Sequence, residues 1–298
     1  MTSARLALFV VVAMMLAGCS QPASAESDAG TGTDAGAAAV TVVEDLDFGA
    51  PDGIRLDVCL PSGSSAAPRP AIISVHGGGW SRGDKAQPQW RNACTWLASE
   101  GFVVFQPNYR LAPSHPFPAA IDDVTAALRW ARADPQVARF GHDPARIGAF
   151  GDSAGGNLVS LLGTRGDGDT AVGTRVAAVV ELSAPLDLTL SGLAIGDMGT
   201  AFQRMQLDYL DCAAFDGCVD ARAASPMYQV DASDPPFYIA HAVDEFVPIE
   251  QAEEFVGLLE SAGVDTTFVP ISGSEHALGF LDDDLRASIG TWLRETLG

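Results

Sequence analysis

Residues 146–162, RIGAFGDSAGGNLVSLL, hold one serine between glycines where an apolar run gives way to a helical pattern. A Gly-x-Ser-x-Gly at a strand-to-helix junction suits a nucleophile, because the turn brings the residues two before and two after the serine together. Gly151 and Gly155 leave that room. Such a turn throws the Ser153 hydroxyl beyond the strand and sets the amide of Ala154 beside it, at a helix N-terminus. A second piece is HGGGW at 76–80, directly after a short apolar run. Glycines there let backbone N–H groups face a cleft with no side chain in the way, which suits a developing oxyanion. The expected donors are Gly78 with a neighbouring glycine, Gly77 or Gly79, together with Ala154. A phosphate-binding loop fits less well: the spacing is not G-x-G-x-x-G and no helix follows at once.

These stretches, with YRLAPSHPFPAAIDDV from Tyr109 to Val124, resemble the α/β-hydrolase esterases. The sequence is similar to the hormone-sensitive-lipase-like carboxylesterases and, more closely, to the feruloyl and acetyl xylan esterase-like branch. The likeness runs from about Val42 to Thr164, resumes at ASPMYQV and continues to GSEHAL. It implies a serine carboxylesterase that works through an acyl-enzyme, with serine, acid and histidine in that chain order. HAVDEFVP and GSEHALG supply the later pieces, so the resemblance implies Asp244 as acid and His276 as base. Here the sequence departs from the family pattern. Ala242 stands in place of a glycine and the turn is shorter, so either Asp244 or Glu245 could face the histidine; aligning on Val247-Pro248 favours Asp244. Of the five histidines, His76 lies in the glycine loop, His115 and His142 precede the nucleophile, and His241 ends a strand, which leaves His276. Asp152, Asp122, Asp123 and Arg110 read as scaffold.

Trp80, residues near 184–186 and a stretch at 186–226 are expected to line a small acyl pocket, favouring short acyl esters. The alcohol side could be a small molecule or a carbohydrate. No cofactor or metal is required by this chemistry. Two other readings remain open: an arylformamidase-like or other amide hydrolase on the same triad, and a catalytically silent binding lipoprotein.

The elements that must position these residues alternate along the chain. Apolar, β-branched runs at VTVVEDLDF, IRLDVCLP, PAIISVHG, FVVFQPNY, 146–151, 176–182, 236–242 and 266–271 read as strands. Helical spacing appears in WRNACTWLASEG and PAAIDDVTAALRWARA, from Ala154, and at 249–262 and 282–297. Alternation of this length predicts an α/β fold: a mostly parallel sheet with helices on both faces. Residues 186–226 break the rhythm and are expected to form a small lid insertion on a hydrolase domain at 40–298.

The first residues read as a leader. One arginine precedes an apolar run from Leu6 to Ala17, too short to span a bilayer comfortably. LAGC at 16–19 resembles the lipobox of bacterial lipoproteins, which implies a signal peptide at 1–18 and a lipidated Cys19; an ordinary signal cut after Ala25 is the alternative. Residues 19–39 are small and acidic and read as a tether with a reach of about 25 Å. The expected location is therefore the outer face of the cell membrane, held by lipid. An oxidising compartment makes the other four cysteines candidates for disulfides. Cys212 and Cys218 close the shortest loop, leaving Cys59 with Cys94. The formal net charge of −21 excludes a nucleic-acid partner on electrostatic grounds. Oligomeric state is not legible in these patterns.

Overall fold

The computed structural model describes residues 40–196 and 198–298. The signal, Cys19 and the tether read from the sequence lie outside the described residues.

The eight strands expected from the pattern form one sheet, in the order β1-β2-β4-β3-β5-β6-β7-β8. They are β1 Thr41–Asp47, β2 Arg55–Leu60, β3 Arg69–Val75, β4 Val103–Pro107, β5 His142–Asp152, β6 Val179–Leu182, β7 Phe237–Ala242 and β8 Thr266–Ile271. β2 pairs antiparallel with β1 and β4; from β4 across to β8 every neighbour is parallel. All of β4 and all of β7 are buried, as strands covered on both faces must be.

Alternate side chains feed two cores. Ala71, Ile73 and Val75 enter one, while Ile72 enters the other. The first core is closed by α2 (Ala119–Arg132), α4 (Ala154–Thr164) and α7 (Ile249–Ala262), the second by α1 (Pro88–Ser99) and α8 (Asp283–Leu297). Helix α4 is buried along its whole length, which its run of small and apolar residues allows.

Three details differ from the sequence pattern. A short helix α3, Asp134–Phe140, stands where no helix is expected; Pro135 opens it and Gly141 closes it in the left-handed region. β5 begins at His142 because Arg69 pairs with that residue before a register shift. β6 is shorter than 176–182: its register with β5 begins at Val179, and ahead of it only isolated bonds reach β5, from the Ala177 amide to Ile147 and from the Ala149 amide to Ala178.

The described residues of segment 186–226 carry helices and no strand: α5, Leu190–Ala194, and α6, Thr200–Leu210. It is tied down by buried polar contacts. Gln251 Oε1 accepts the amides of Leu186 and Asp187 at 2.8 and 3.1 Å, and Asn157 Nδ2 donates to the carbonyl of Ala224. The Sγ atoms of Cys59 and Cys94 are 2.00 Å apart, joining β2 to α1. Those of Cys212 and Cys218 are 2.15 Å apart and close the end of α6.

Candidate active site

Ser153 sits at the sharp turn from β5 into α4 with φ 51° and ψ −120°, a left-handed backbone that serine adopts only under constraint. The turn is as tight as the glycines imply. A Cβ added to Gly151 would meet the carbonyl oxygen of Gly155 at 2.4 Å, and one added to Gly155 would meet that of Val75 at 2.2 Å. The Ser153 amide donates to the Leu182 carbonyl (2.7 Å), fixing the turn to the end of β6.

The glycine loop follows β3. Gly78 takes φ +116°, and a Cβ there would strike the carbonyl oxygen of Arg82 at 2.1 Å. No acceptor among the described residues occupies the N–H groups of Gly78, Gly79 or Ala154. Gly77 is a correction to the expected donor set: its N–H is spent on Asp152 Oδ1 at 3.0 Å. Asp152 Oδ1 also accepts Trp90 Nε1 at 2.8 Å. The carboxyl beside Ser153 thus bolts the glycine loop to the turn, and burial raises it to about 6. His76 supports the same loop. It stacks on Tyr109 at 4.3 Å, its Nδ1 lies 2.9 Å from the Gly77 carbonyl, and burial lowers it to about 4, so it is neutral with the proton on Nδ1.

His276 lies just past β8 with Nδ1 hydrogen-bonded to a carboxylate, and that carboxylate is Glu245. Asp244 is the second correction. It is exposed, its amide donates to the Gly273 carbonyl (3.0 Å), and its side chain makes no hydrogen bond among the described residues. Distance along the chain from the end of β7 decides which acid turns inward, and Glu245 stands at the right step. Its side chain is fully buried. Glu245 Oε1 accepts the Ser183 hydroxyl and lies 3.2 Å from Nε2 of His241. That nitrogen also lies 2.8 Å from the Val247 carbonyl. Two acceptors at one ring nitrogen require that it carry the proton, and burial lowers His241 so that it stays neutral. Nε2 of His276, on the opposite edge of the ring from Glu245, is buried and has no hydrogen-bond partner.

The surroundings of the pair are apolar above and acidic below. Phe246, 46% exposed, tilts against the His276 ring at 4.3 Å and is braced edge-on by Phe202 of α6. Met205, also on α6, lies over the glycine loop: a Cβ on Gly79 would touch its sulfur at 2.7 Å. Trp80 is a third correction. Expected as a pocket wall, it is fully buried and stacks on Tyr209 at 4.4 Å and 5°, so it anchors α6 and offers no free face. Beneath Glu245, Glu181 of β6 is buried and raised to about 8, chiefly by desolvation; it donates nothing to Glu245 and accepts the Ala184 amide. Arg110 and Asp123 form a close ion pair that holds the Tyr109 loop on α2, in line with their reading as scaffold.

Sequence reasoning passed over Ser183 and Glu181, and set His241 aside as a strand-end residue with no part in holding the acid. The family-like pattern marks serine, acid and base but gives no signal for the groups that hold the acid. The one trace was the departure at Ala242 and the shortened turn.

A protein-family model described as BD-FAE matches residues 56–259. The chain is 32% identical over 241 residues to Esterase LipC of Mycobacterium tuberculosis, covering 76% of this chain and 57% of that protein. Its matches to curated relatives such as this one span from 28% to 57% of their length. Among solved structures, an acetyl ester-xyloside bifunctional hydrolase from Caldicellulosiruptor lactoaceticus is 25% identical with a TM-score of 0.69, covering 84% of this chain and 90% of that one. A truncated carbohydrate esterase from gut microbiota shares the fold at a TM-score of 0.74 and 24% identity, over 86% of this chain and 96% of that one.

Proposed function

The chain belongs to the BD-FAE family, on the α/β-hydrolase fold, and from that premise we propose that it is a serine carboxylesterase acting on short-acyl esters. One observation carries the reading. A histidine past the end of β8 is fixed by a buried carboxylate on Nδ1 while Nε2 is left free, and a strained serine with open amides stands at the end of β5 on the same rim of the sheet. In that arrangement Ser153 Oγ attacks the ester carbonyl as His276 Nε2 takes its proton. The tetrahedral oxyanion is met by the N–H groups of Gly78, Gly79 and Ala154. Collapse breaks the bond to the alcohol, which leaves with the proton from Nε2. Water then gives a proton to Nε2 and attacks the acyl-enzyme, and collapse breaks the bond to Ser153 Oγ, which takes the proton back from Nε2 as the acid leaves. Glu245 keeps the Nδ1–H tautomer throughout.

Met205 lying on Gly79 and Trp80 filled by Tyr209 support a preference for small acyl groups. The test is the initial rate on p-nitrophenyl esters from acetyl to dodecanoyl, with Ser153→Ala alongside. Activity highest on short esters and lost in the variant is expected; no turnover and no fluorophosphonate uptake by folded wild type would overturn the reading. Turnover of anilides above esters would move it to an amide hydrolase.

The finer proposals concern placement. LAGC supports export and lipidation at Cys19, and the two cysteine pairs at bonding distance suit an oxidising compartment. Wild type is expected in the membrane fraction with a diacylglyceryl mass on Cys19, and Cys19→Ser in the soluble one; an unmodified Cys19 would refute the anchor. Neutral esters, small or carbohydrate-linked, are the proposed substrates.

A further inference from the structure

Ser183 and Ala277 are non-glycine residues held in the left-handed region, at φ 54° and 53°. They come from different strand ends, the first just past β6 and the second next to His276, and they meet: the Ala277 amide donates to Ser183 Oγ at 3.0 Å. The same hydroxyl has one proton to give, and it goes to Oε1 of Glu245. Ser183 is wholly buried. Ala277 is the second residue of a turn closed by the Gly279 amide on the His276 carbonyl at 2.9 Å, whereas no such bond among the described residues closes a turn over Ser183, so the strain at Ser183 marks a geometry kept for what it positions.

We propose that Ser183 is a positioning residue of the reaction: its hydroxyl clasps the acid Glu245 and the His276 loop at once, so that the Glu245–His276 pair is aligned across the ends of β6, β7 and β8. The inference rests on the esterase reading above. The reason for a hydroxyl is specific. It is the smallest side chain that can accept an amide and donate to a carboxylate from one atom. Glycine would relieve the backbone yet lose both bonds. Other charged or titratable groups face this pair: His241 from β7, Glu181 from β6, Asp152 at the end of β5, and Glu250 of α7 beside His241.

The experiment compares Ser183→Gly and Ser183→Ala with wild type on a short p-nitrophenyl ester. A hydrogen bond to a charged group is lost, so kcat should fall about ten- to a hundredfold with KM nearly unchanged. With that donor gone, more of the carboxylate charge falls on the imidazole and favours its protonated form. The acid limb of kcat/KM should therefore move to higher pH. Ser183→Gly, unstrained at this φ, should unfold at least as late as Ser183→Ala. Full kcat and an unmoved acid limb in the glycine variant would overturn the proposal. If wild type turns over no ester, the esterase reading fails, and the clasp is then read from the downfield NMR proton of the Glu245–His276 hydrogen bond. A shift in Ser183→Gly supports it; an unchanged signal overturns it.

Discussion

The carboxylate on His276 Nδ1 belongs to Glu245, and its charge can be removed without changing its shape. Glu245→Gln leaves the shape but removes the charge that fixes the His276 tautomer, so kcat should fall about ten thousandfold. Asp244→Asn should stay within about twofold of wild type, because that side chain is exposed. The reverse ranking would restore Asp244. Glu181 makes a second prediction, on stability. Its carboxyl is raised from 4.5 to about 8 by burial. Above 4.5 the unfolded chain releases this proton while the folded protein keeps it, so its contribution is fully present below 4.5 and is lost as pH rises through 8. Glutamine cannot ionise, so the Tm of Glu181→Gln relative to wild type should be higher at about pH 9 than at about pH 6. The same difference at both pH values would show that Glu181 is not neutral when folded.

At the scale of elements, α6 is where the insertion touches chemistry. It braces Phe246 through Phe202, lies on Gly79 through Met205, and is pinned by Tyr209 on Trp80. Shortening Met205 to alanine clears volume over the glycine loop without removing the Trp80–Tyr209 stack. The ratio of kcat/KM on hexanoyl to acetyl esters should then rise roughly fourfold for each methylene newly accommodated. An unchanged ratio would place the acyl group elsewhere. The alternation of strands and helices was legible because burial imposes its period on apolar residues. The helices of 186–226 were not, since polar and apolar positions there answer to contacts with Gln251, Asn157 and the glycine loop, far away in sequence. α3 was hidden by its brevity.

For the whole molecule, a formal net charge of −21 implies self-repulsion that opposes the compact state. Raising sodium chloride from about 10 to about 300 mM shortens the Debye length from roughly 30 Å to well under 10 Å and should raise Tm; a flat or falling Tm would show that local ion pairs outweigh the net charge. Parallel pairing from β4 to β8 brings the C-terminal strand ends to one rim, and that is how Ser153, Ser183, Glu245 and His276 share a site. The sequence by itself determined the fold class and pointed to the nucleophile turn, the glycine loop and His276. Those depend on local sterics and short spacings, which residue types record directly. It favoured Asp244 over Glu245 as the acid, assigned Gly77 to the oxyanion and Trp80 to the pocket, and was silent on Ser183. Only the tertiary structure decided these, because each depends on where a side chain or amide points after a turn. Glu245 meets a histidine 31 residues away and Ser183 an amide 94 residues away, partners that no local pattern records.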